Sequence, residues 1–265
     1  MATLVCFHAH PDDESIATGG LMARASSEGH RVVLVVATRG ERGEVPDGFL
    51  EPGEQLGIRR IAETIASAEV LGVARTEFLG YVDSGMMGTP ENDGPYSFWR
   101  ADVEQAARRL AQLLVDENAD VVTIYDEIGG YGHPDHLQVH RVGARAAAIA
   151  GVGRVFEATI NRDSIRRSIE ATKGVEGIDR SQMPNLDEEP HFGMPEHRIT
   201  HAIDVRAFTG RKRESMRCHA SQISEEAFFL QMPQDIFSQA FGTEWFIEHG
   251  CTRPDGIEMG VDLFA

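Results

Sequence analysis

Hydrophobic residues over the first 160 positions alternate between unbroken runs and helically spaced patterns. The runs predict buried strands at Thr3–His8, Arg31–Thr38, Asp120–Tyr125 and Arg154–Thr159, with a shorter strand at Glu77–Tyr81. The helical spacing predicts helices at Ser15–Glu28, Ile58–Leu71, Trp99–Asn118 and His136–Ala150. Gly-rich segments at residues 39–57 and 83–97 predict loops. This order predicts an α/β fold, with a Rossmann-like, doubly wound, mostly parallel sheet and helices on both faces.

The last third of the chain is less regular. Residues 172–197 contain three prolines and an acidic run, which predict a flexible excursion or lid. A strand is expected at His201–Val205 and a helix at Ala207–Ala220. The aromatic-rich tail that follows is expected in the core or at a subunit interface, so a homo-oligomer is one expectation. We interpret residues 1–170 as a metal-binding catalytic core and 171–265 as the C-terminal excursion and closing elements of the same domain.

Composition narrows the class of protein and of partner. The 265 residues are 42% hydrophobic, and no apolar run approaches the ~20 residues of a membrane helix. A net charge of −17 argues against nucleic acid and anionic membranes as main partners, but it does not identify a substrate. The three cysteines are far apart and form no CxxC, and the N-terminus lacks the pattern of a secretory signal. We therefore expect a cytoplasmic protein.

A polar cluster, His10-Pro11-Asp12-Asp13-Glu14, follows the first predicted strand. Pro11 fixes its own φ and favours an extended residue before it, so the chain turns after His10 and Asp13 can point to the same spot. Three consecutive carboxylates repel one another, and a bound cation removes that repulsion. Alternatively, Asp12 or Asp13 simply caps the helix that follows.

A second cluster, Tyr131–His136, follows the strand that ends at Tyr125. Parallel strands present their carboxyl ends along one edge of a sheet, where ligands collect, so we expect the two clusters to converge. His10, Asp13 and His136 would then form a two-His, one-carboxylate set with an open position for water, as catalytic zinc sites require. The set suits Zn²⁺, and Fe²⁺ or another divalent metal is also compatible with it.

The remaining side chains of the clusters offer acid–base chemistry. Asp12 can take a proton from an attacking water. His133 can protonate a leaving amine or donate to an oxyanion, and Tyr131 can donate its phenol there. Asp135 can hold an imidazole in one tautomer. These groups predict a metal-dependent hydrolase.

Other histidines compete for a role. His140 lies four residues after His136, either as a second metal ligand or as a partly buried structural histidine. His8 alternates with His10 and is expected in the core or behind a ligand. His219, at the end of a predicted helix, is a further site candidate.

The segments Ala9–Glu14 and His133–His136 resemble the AHPDDE and HPDH signatures of the PIG-L, or LmbE-like, family of zinc-dependent de-N-acetylases. The resemblance implies that His10, Asp13 and His136 bind zinc and that Asp12 is the general base. It implies an acid or electrostatic role for His133, oriented by Asp135, with Tyr131 at the oxyanion. Matches to the mycothiol-type branch add a set of expected substrate contacts, namely Glu41, Arg60, Asp83, Met86 and His219.

The resemblance implies removal of an N-acetyl or other N-acyl group from an N-acetylglucosamine-like small molecule. Two related activities stay open, an amidase acting on a mycothiol-type thiol S-conjugate and a deacetylase of natural-product biosynthesis. A sugar-binding protein without catalysis is the alternative from another class.

Overall fold

A computed structural model describes residues 1–171, 184–189 and 191–265. Half of the excursion predicted at residues 172–197, namely residues 172–183 and 190, lies outside the described residues. Among the described residues, no helix combines the length and apolar character needed to cross a membrane.

Seven strands form one sheet in the order β3-β2-β1-β4-β5-β7-β6. Their bounds are β1 Thr3–His8, β2 Arg31–Thr38, β3 Arg75–Tyr81, β4 Val121–Tyr125, β5 Arg154–Thr159, β6 His201–Asp204 and β7 Thr243–Glu248. The first five strands pair in parallel, whereas β7 runs antiparallel to both β5 and β6. The predicted α/β fold with a mostly parallel sheet is thus confirmed.

Ten α-helices accompany the sheet in the described part of the chain. They are α1 Asp13–Ala17, α2 Gly19–Ser27, α3 Leu56–Leu71, α4 Val103–Asp116, α5 Gly129–Gly132, α6 Pro134–Ala150, α7 Arg162–Ala171, α8 Thr209–Cys218, α9 Phe228–Gln231 and α10 Gln234–Phe241. Helix α4 packs on α6, and α3 packs on α8. The apolar residues of β1, β2 and β4 are almost completely buried between these helices, which fixes the carboxyl ends of the strands in place.

The helix predicted at Ser15–Glu28 is two helices, and the prediction of one was wrong. Thr18 interrupts it with φ −135°, and its hydroxyl lies 2.8 Å from Nε2 of His8. Position 20, at the start of the second helix, has room only for glycine, because a Cβ there would lie 2.5 Å from the side chain of Val205. These tertiary contacts override the helical spacing that the sequence shows.

β7 occupies part of the aromatic-rich tail, where the sequence pattern predicts no strand. Glu244 of this strand forms a buried ion pair of 2.5 Å with Lys212 of α8. Its carboxylate also accepts hydrogen bonds of 2.8 Å from the backbone of Gly20 and Leu21. Phe237 and Phe246 are fully buried, so these two aromatic residues of the tail pack in the interior, which agrees with the expectation of a core position.

Candidate active site

The two sequence clusters meet at the carboxyl ends of neighbouring strands. His10 follows β1, while His133 and His136 follow β4, which pairs with β1. The ring centroid of His10 lies 4.6 Å from that of His133 and 5.4 Å from that of His136. All three imidazoles are at least 93% buried, so they line a confined polar site.

Asp13 lies between two of these imidazoles. Its Oδ2 atom is 3.4 Å from Nδ1 of His10 and 3.4 Å from Nε2 of His136. Ligand atoms about 2.1 Å from a tetrahedral zinc ion lie about 3.4 Å apart, so this spacing matches a shared ion. The set of two imidazoles and one carboxylate therefore fits a divalent metal.

Each of the two imidazoles is oriented through its other nitrogen. Nε2 of His10 lies 3.1 Å from Oδ2 of Asp135, and Nδ1 of His136 lies 3.2 Å from the carbonyl oxygen of Gly129. Donation from these nitrogens leaves a lone pair on the nitrogen that faces Asp13, as metal binding requires.

The carboxylate of Asp135 faces His10, whereas the resemblance implied that it orients His133. The backbone N–H of Asp135 is the group that contacts His133, donating to Nδ1 at 3.1 Å. Ser84 fixes the carboxylate, because its backbone N–H donates to Oδ2 at 2.9 Å and its hydroxyl donates to Oδ1. The prediction that Asp135 would hold an imidazole thus fits the geometry for a different histidine.

The pKa values of His10 and Asp13 are shifted far from their usual values. Burial lowers the pKa of His10, but contacts with Asp13, Asp135 and Asp83 outweigh burial and raise it well above its usual value. Burial raises the pKa of Asp13, yet His136 and His10 outweigh it and hold the pKa well below its usual value. The excess of carboxylates around His10 is the environment that a cation stabilises.

Asp12 is held in an unusual backbone conformation beside this set. Its φ of 98° falls in the region that favours glycine, and such strain persists only where surrounding contacts enforce it. Its N–H donates to Oε2 of Glu14 at 2.9 Å, and Nη2 of Arg60 lies 3.2 Å from its Oδ2. Burial raises the pKa of the Asp12 carboxyl to about 6, although Arg60 lowers it. This value suits a general base near neutral pH.

Glu14 is a residue to which the sequence analysis assigned no role. It is fully buried, and its Oε1 accepts from Nε2 of His219 and from the hydroxyl of Ser67, both at 2.6 Å. Burial raises the pKa of Glu14, but His219 and Ser67 outweigh it and bring the pKa to about 2. Glu14 stands in the quoted motif, but its partner is 205 positions away, so only the fold reveals the contact.

The residues expected to contact substrate differ in how deeply they are buried. His219 is fully buried behind Glu14, and Arg60 is only 3% exposed, donating to the carbonyl oxygens of Gly40 and Pro11. Asp83 lies at the site, with Oδ1 3.6 Å from Nε2 of His10.

The rim holds the other predicted residues. Glu41 accepts from the backbone N–H of Asp83 at 3.2 Å, which ties the two Gly-rich loops together. Met86 is 53% exposed and Tyr131 is 44% exposed, and the phenol oxygen of Tyr131 lies 3.4 Å from Nε2 of His136. Tyr131 and Met86 are therefore accessible to a bound molecule.

Two other histidines lie outside the ligand set. His8 is buried between the hydroxyls of Tyr125 and Thr18, at 2.7 and 2.8 Å, in agreement with a core position. Nδ1 of His140 lies 3.0 Å from the carbonyl oxygen of Tyr125, and the ring contacts a different cluster of side chains.

A sequence profile of the GlcNAc-PI de-N-acetylase family, PIG-L, matches residues 5–147, which include both polar clusters. The chain belongs to the PIG-L family. This membership confirms the resemblance drawn from the two motifs and makes the chain a hydrolase of the N-deacetylase type.

A curated relative extends the similarity over almost the whole chain. The 1D-myo-inositol 2-acetamido-2-deoxy-alpha-D-glucopyranoside deacetylase of Acidothermus cellulolyticus is 42% identical over 99% of this chain and 94% of its own length.

Solved structures agree on the fold. The N,N'-diacetylchitobiose deacetylase of Pyrococcus horikoshii is 21% identical, with a TM-score of 0.56 over 93% of this chain and 82% of its own. GalB, the 4-carboxy-2-hydroxymuconate hydratase of Pseudomonas putida, is 18% identical, with a TM-score of 0.62 over 97% of this chain and 100% of its own. At these identities the two structures show that the chain shares their fold.

Proposed function

We propose that this PIG-L protein hydrolyses the acetamide of an N-acetylglucosaminyl-inositol, the substrate named for its 42%-identical relative. The observation that carries the proposal is the placement of Asp12 beside Asp13, His10 and His136, at the carboxyl ends of β1 and β4. A cytoplasmic location is part of the proposal, supported by three cysteines that form no disulfide.

His10, Asp13 and His136 would hold the metal, which we propose to be zinc. When bound, such an ion acts as a Lewis acid and lowers the pKa of water. Asp135 and the carbonyl of Gly129 keep the two imidazoles in the tautomer that can ligate it.

The protein's own groups move the protons. Asp12, with a pKa raised to about 6, accepts the proton of the attacking water. His133 is 94% buried beside both ligating imidazoles, and burial lowers its pKa to about 4, so the neutral ring donates a hydrogen bond to the leaving nitrogen while Asp12 passes that nitrogen the proton taken from water. Tyr131 donates a hydrogen bond from its phenol to the carbonyl oxygen as charge develops there.

The rim residues would bind the sugar and its aglycone. Glu41 offers carboxylate oxygens to sugar hydroxyls, and Met86 offers an exposed apolar surface, while Asp83, only 5% exposed, lies deeper beside His10. We assign Arg60 and His219 to positioning rather than to direct contact, because both are buried against Asp12 and Glu14.

Substitution of Asp12 by Asn tests the assignment of the base. The variant keeps the size of the side chain but cannot accept a proton, so we expect kcat to fall by about 10²–10⁴-fold while bound zinc is unchanged. The assay measures acetate release from N-acetylglucosaminyl-inositol, with metal content determined in parallel. A variant that turns over at the wild-type rate would remove Asp12 from the mechanism.

The acyl group is tested with the wild-type protein. Acetate released from the sugar substrate supports the proposal, whereas faster release of an N-acyl-cysteine from a mycothiol S-conjugate would replace it with the amidase activity. Release of neither, with zinc bound and the sugar retained, would indicate a binding protein.

A further inference from the structure

A second group of metal-binding side chains lies apart from the candidate active site. His140 of α6, Glu157 of β5 and His249 directly after β7 each place one nitrogen or oxygen atom within 4.8 Å of the others. Nδ1 of His249 is 2.6 Å and Nδ1 of His140 is 3.7 Å from Oε1 of Glu157. We call these three residues the outer His/Glu cluster.

The charge of Glu157 makes this cluster unusual. The residue is only 7% exposed, and its ion-pair partners among the described residues are the two histidines, with no lysine or arginine. Asp126, which is fully buried, adds negative charge that acts on Glu157. His249 contributes one hydrogen bond to Glu157, and a bound cation would compensate a carboxylate buried this far more fully.

A backbone contact fixes the ring of His140 beside Glu157. Its Nδ1 atom lies 3.0 Å from the carbonyl oxygen of Tyr125 and 3.7 Å from Oε1 of Glu157, and donation from Nδ1 leaves the lone pair on Nε2. Ligating histidines commonly fix their tautomer through such a contact with a backbone carbonyl. His249 has 40% of its side chain exposed, which gives an ion a route from solvent.

We propose that the outer His/Glu cluster binds a second divalent ion of the zinc class, with His140, Glu157 and His249 as ligands. Imidazole and carboxylate donors suit Zn²⁺ and the similar ions Co²⁺ and Ni²⁺. The three ligands come from a helix, a parallel strand and the end of an antiparallel strand, so the ion cross-links the two parts of the sheet. The proposal does not depend on the proposed function.

Zinc stoichiometry tests this site. The full-length protein is saturated with Zn²⁺, passed through gel filtration in metal-free buffer, and analysed for bound zinc. We expect two equivalents for wild type and one for His249→Ala, with the deacetylase activity of His249→Ala unchanged. His197→Ala, which removes another exposed histidine, is the matched control and is expected to retain both equivalents.

The catalytic site is measured separately in the same experiment. Asp13→Ala should lose the other equivalent together with activity, so failure at one site can be told from failure at the other. A melting temperature that zinc raises in Asp13→Ala, but not in Asp13→Ala combined with His249→Ala, would further support the outer site. One equivalent in wild type, or two in both His249→Ala and His140→Ala, would overturn the proposal.

Discussion

Substitution of Ser84 by Ala should weaken metal binding although Ser84 is not itself a ligand. The hydroxyl of Ser84 donates to Asp135, and Asp135 in turn lies 3.1 Å from Nε2 of His10. In the Ala variant, Oδ1 of Asp135 loses this donor, while the backbone N–H of residue 84 still reaches Oδ2. The carboxylate is then less firmly oriented, and so is the imidazole that it holds.

The size of the effect follows from the lost contact. A hydrogen bond to a charged group contributes about 1.5–3 kcal/mol, and loss of a partner behind a metal ligand weakens metal affinity by about 10- to 100-fold. We therefore expect the zinc dissociation constant of Ser84→Ala to rise by about 10- to 100-fold, or about 1.4–2.7 kcal/mol. Turnover at saturating zinc should change less, because Asp12 and its contacts are untouched.

The measurement is zinc competition against a chelator of known affinity at fixed pH. Ser215→Ala is the matched control, since Ser215 is also fully buried and its hydroxyl donates to a carbonyl oxygen, that of Lys212, at 2.7 Å. Ser84→Ala should lose more stability in urea than Ser215→Ala, because the Ser84 hydroxyl also accepts from the backbone N–H of Trp99 at 2.9 Å, and only Ser84→Ala should lose zinc affinity. Equal zinc affinities in the two variants would refute the role given to Ser84.

Three further predictions concern stability and the general base. Lys212→Met should lower the free energy of unfolding by about 3–5 kcal/mol in urea denaturation, because the carboxylate of Glu244 is left buried without its cation, and adding Glu244→Gln should recover part of the loss. Burial lowers the pKa of His8 from 6.5 to about 4. The free energy of unfolding should therefore be highest above pH 6.5 and fall by about 3 kcal/mol as the pH drops toward 4, and denaturation curves of His8→Gln measured across this pH range should show a smaller fall. Arg60→Lys removes the planar fork that contacts Pro11, Gly40 and Asp12, so kcat should fall about tenfold while the neighbouring Arg59→Lys stays near wild type; equal rates would contradict the positioning role.

The strands of the parallel sheet were the easiest elements to predict. β1, β2 and β5 have the bounds expected from their apolar runs, because a strand buried on both faces is hydrophobic at most positions. β7 has no unbroken apolar run, because Glu244 and Glu248 flank Trp245, Phe246 and Ile247. Its aromatic residues predicted a buried or interface position and gave no sign of a strand. Its place in the sheet depends on Lys212 and on pairing with β5, which are distant in sequence.

The part of the candidate site that lies within the two sequence motifs was predictable from the sequence. The approach of His10, Asp13 and His136 follows from where parallel strands end, so spacing alone suggests it. The contact of Asp135 with His10 rather than His133, and that of Glu14 with His219, depend on side-chain directions across separate elements. No periodicity or motif spacing encodes those directions.

The antiparallel strand also affects how the chain can assemble during synthesis. β7 lies between β5 and β6, so a growing chain presents β5 with an unpaired edge, and β6 without a neighbour in the sheet, until residues 243–248 have been made. An open edge next to hydrophobic strands invites pairing with other chains. We propose that residues 1–170 and 171–265 form one domain. Because the sheet of such a domain is incomplete until β7 is made, we expect a nascent chain stalled before β7 to aggregate or to be retained by chaperones.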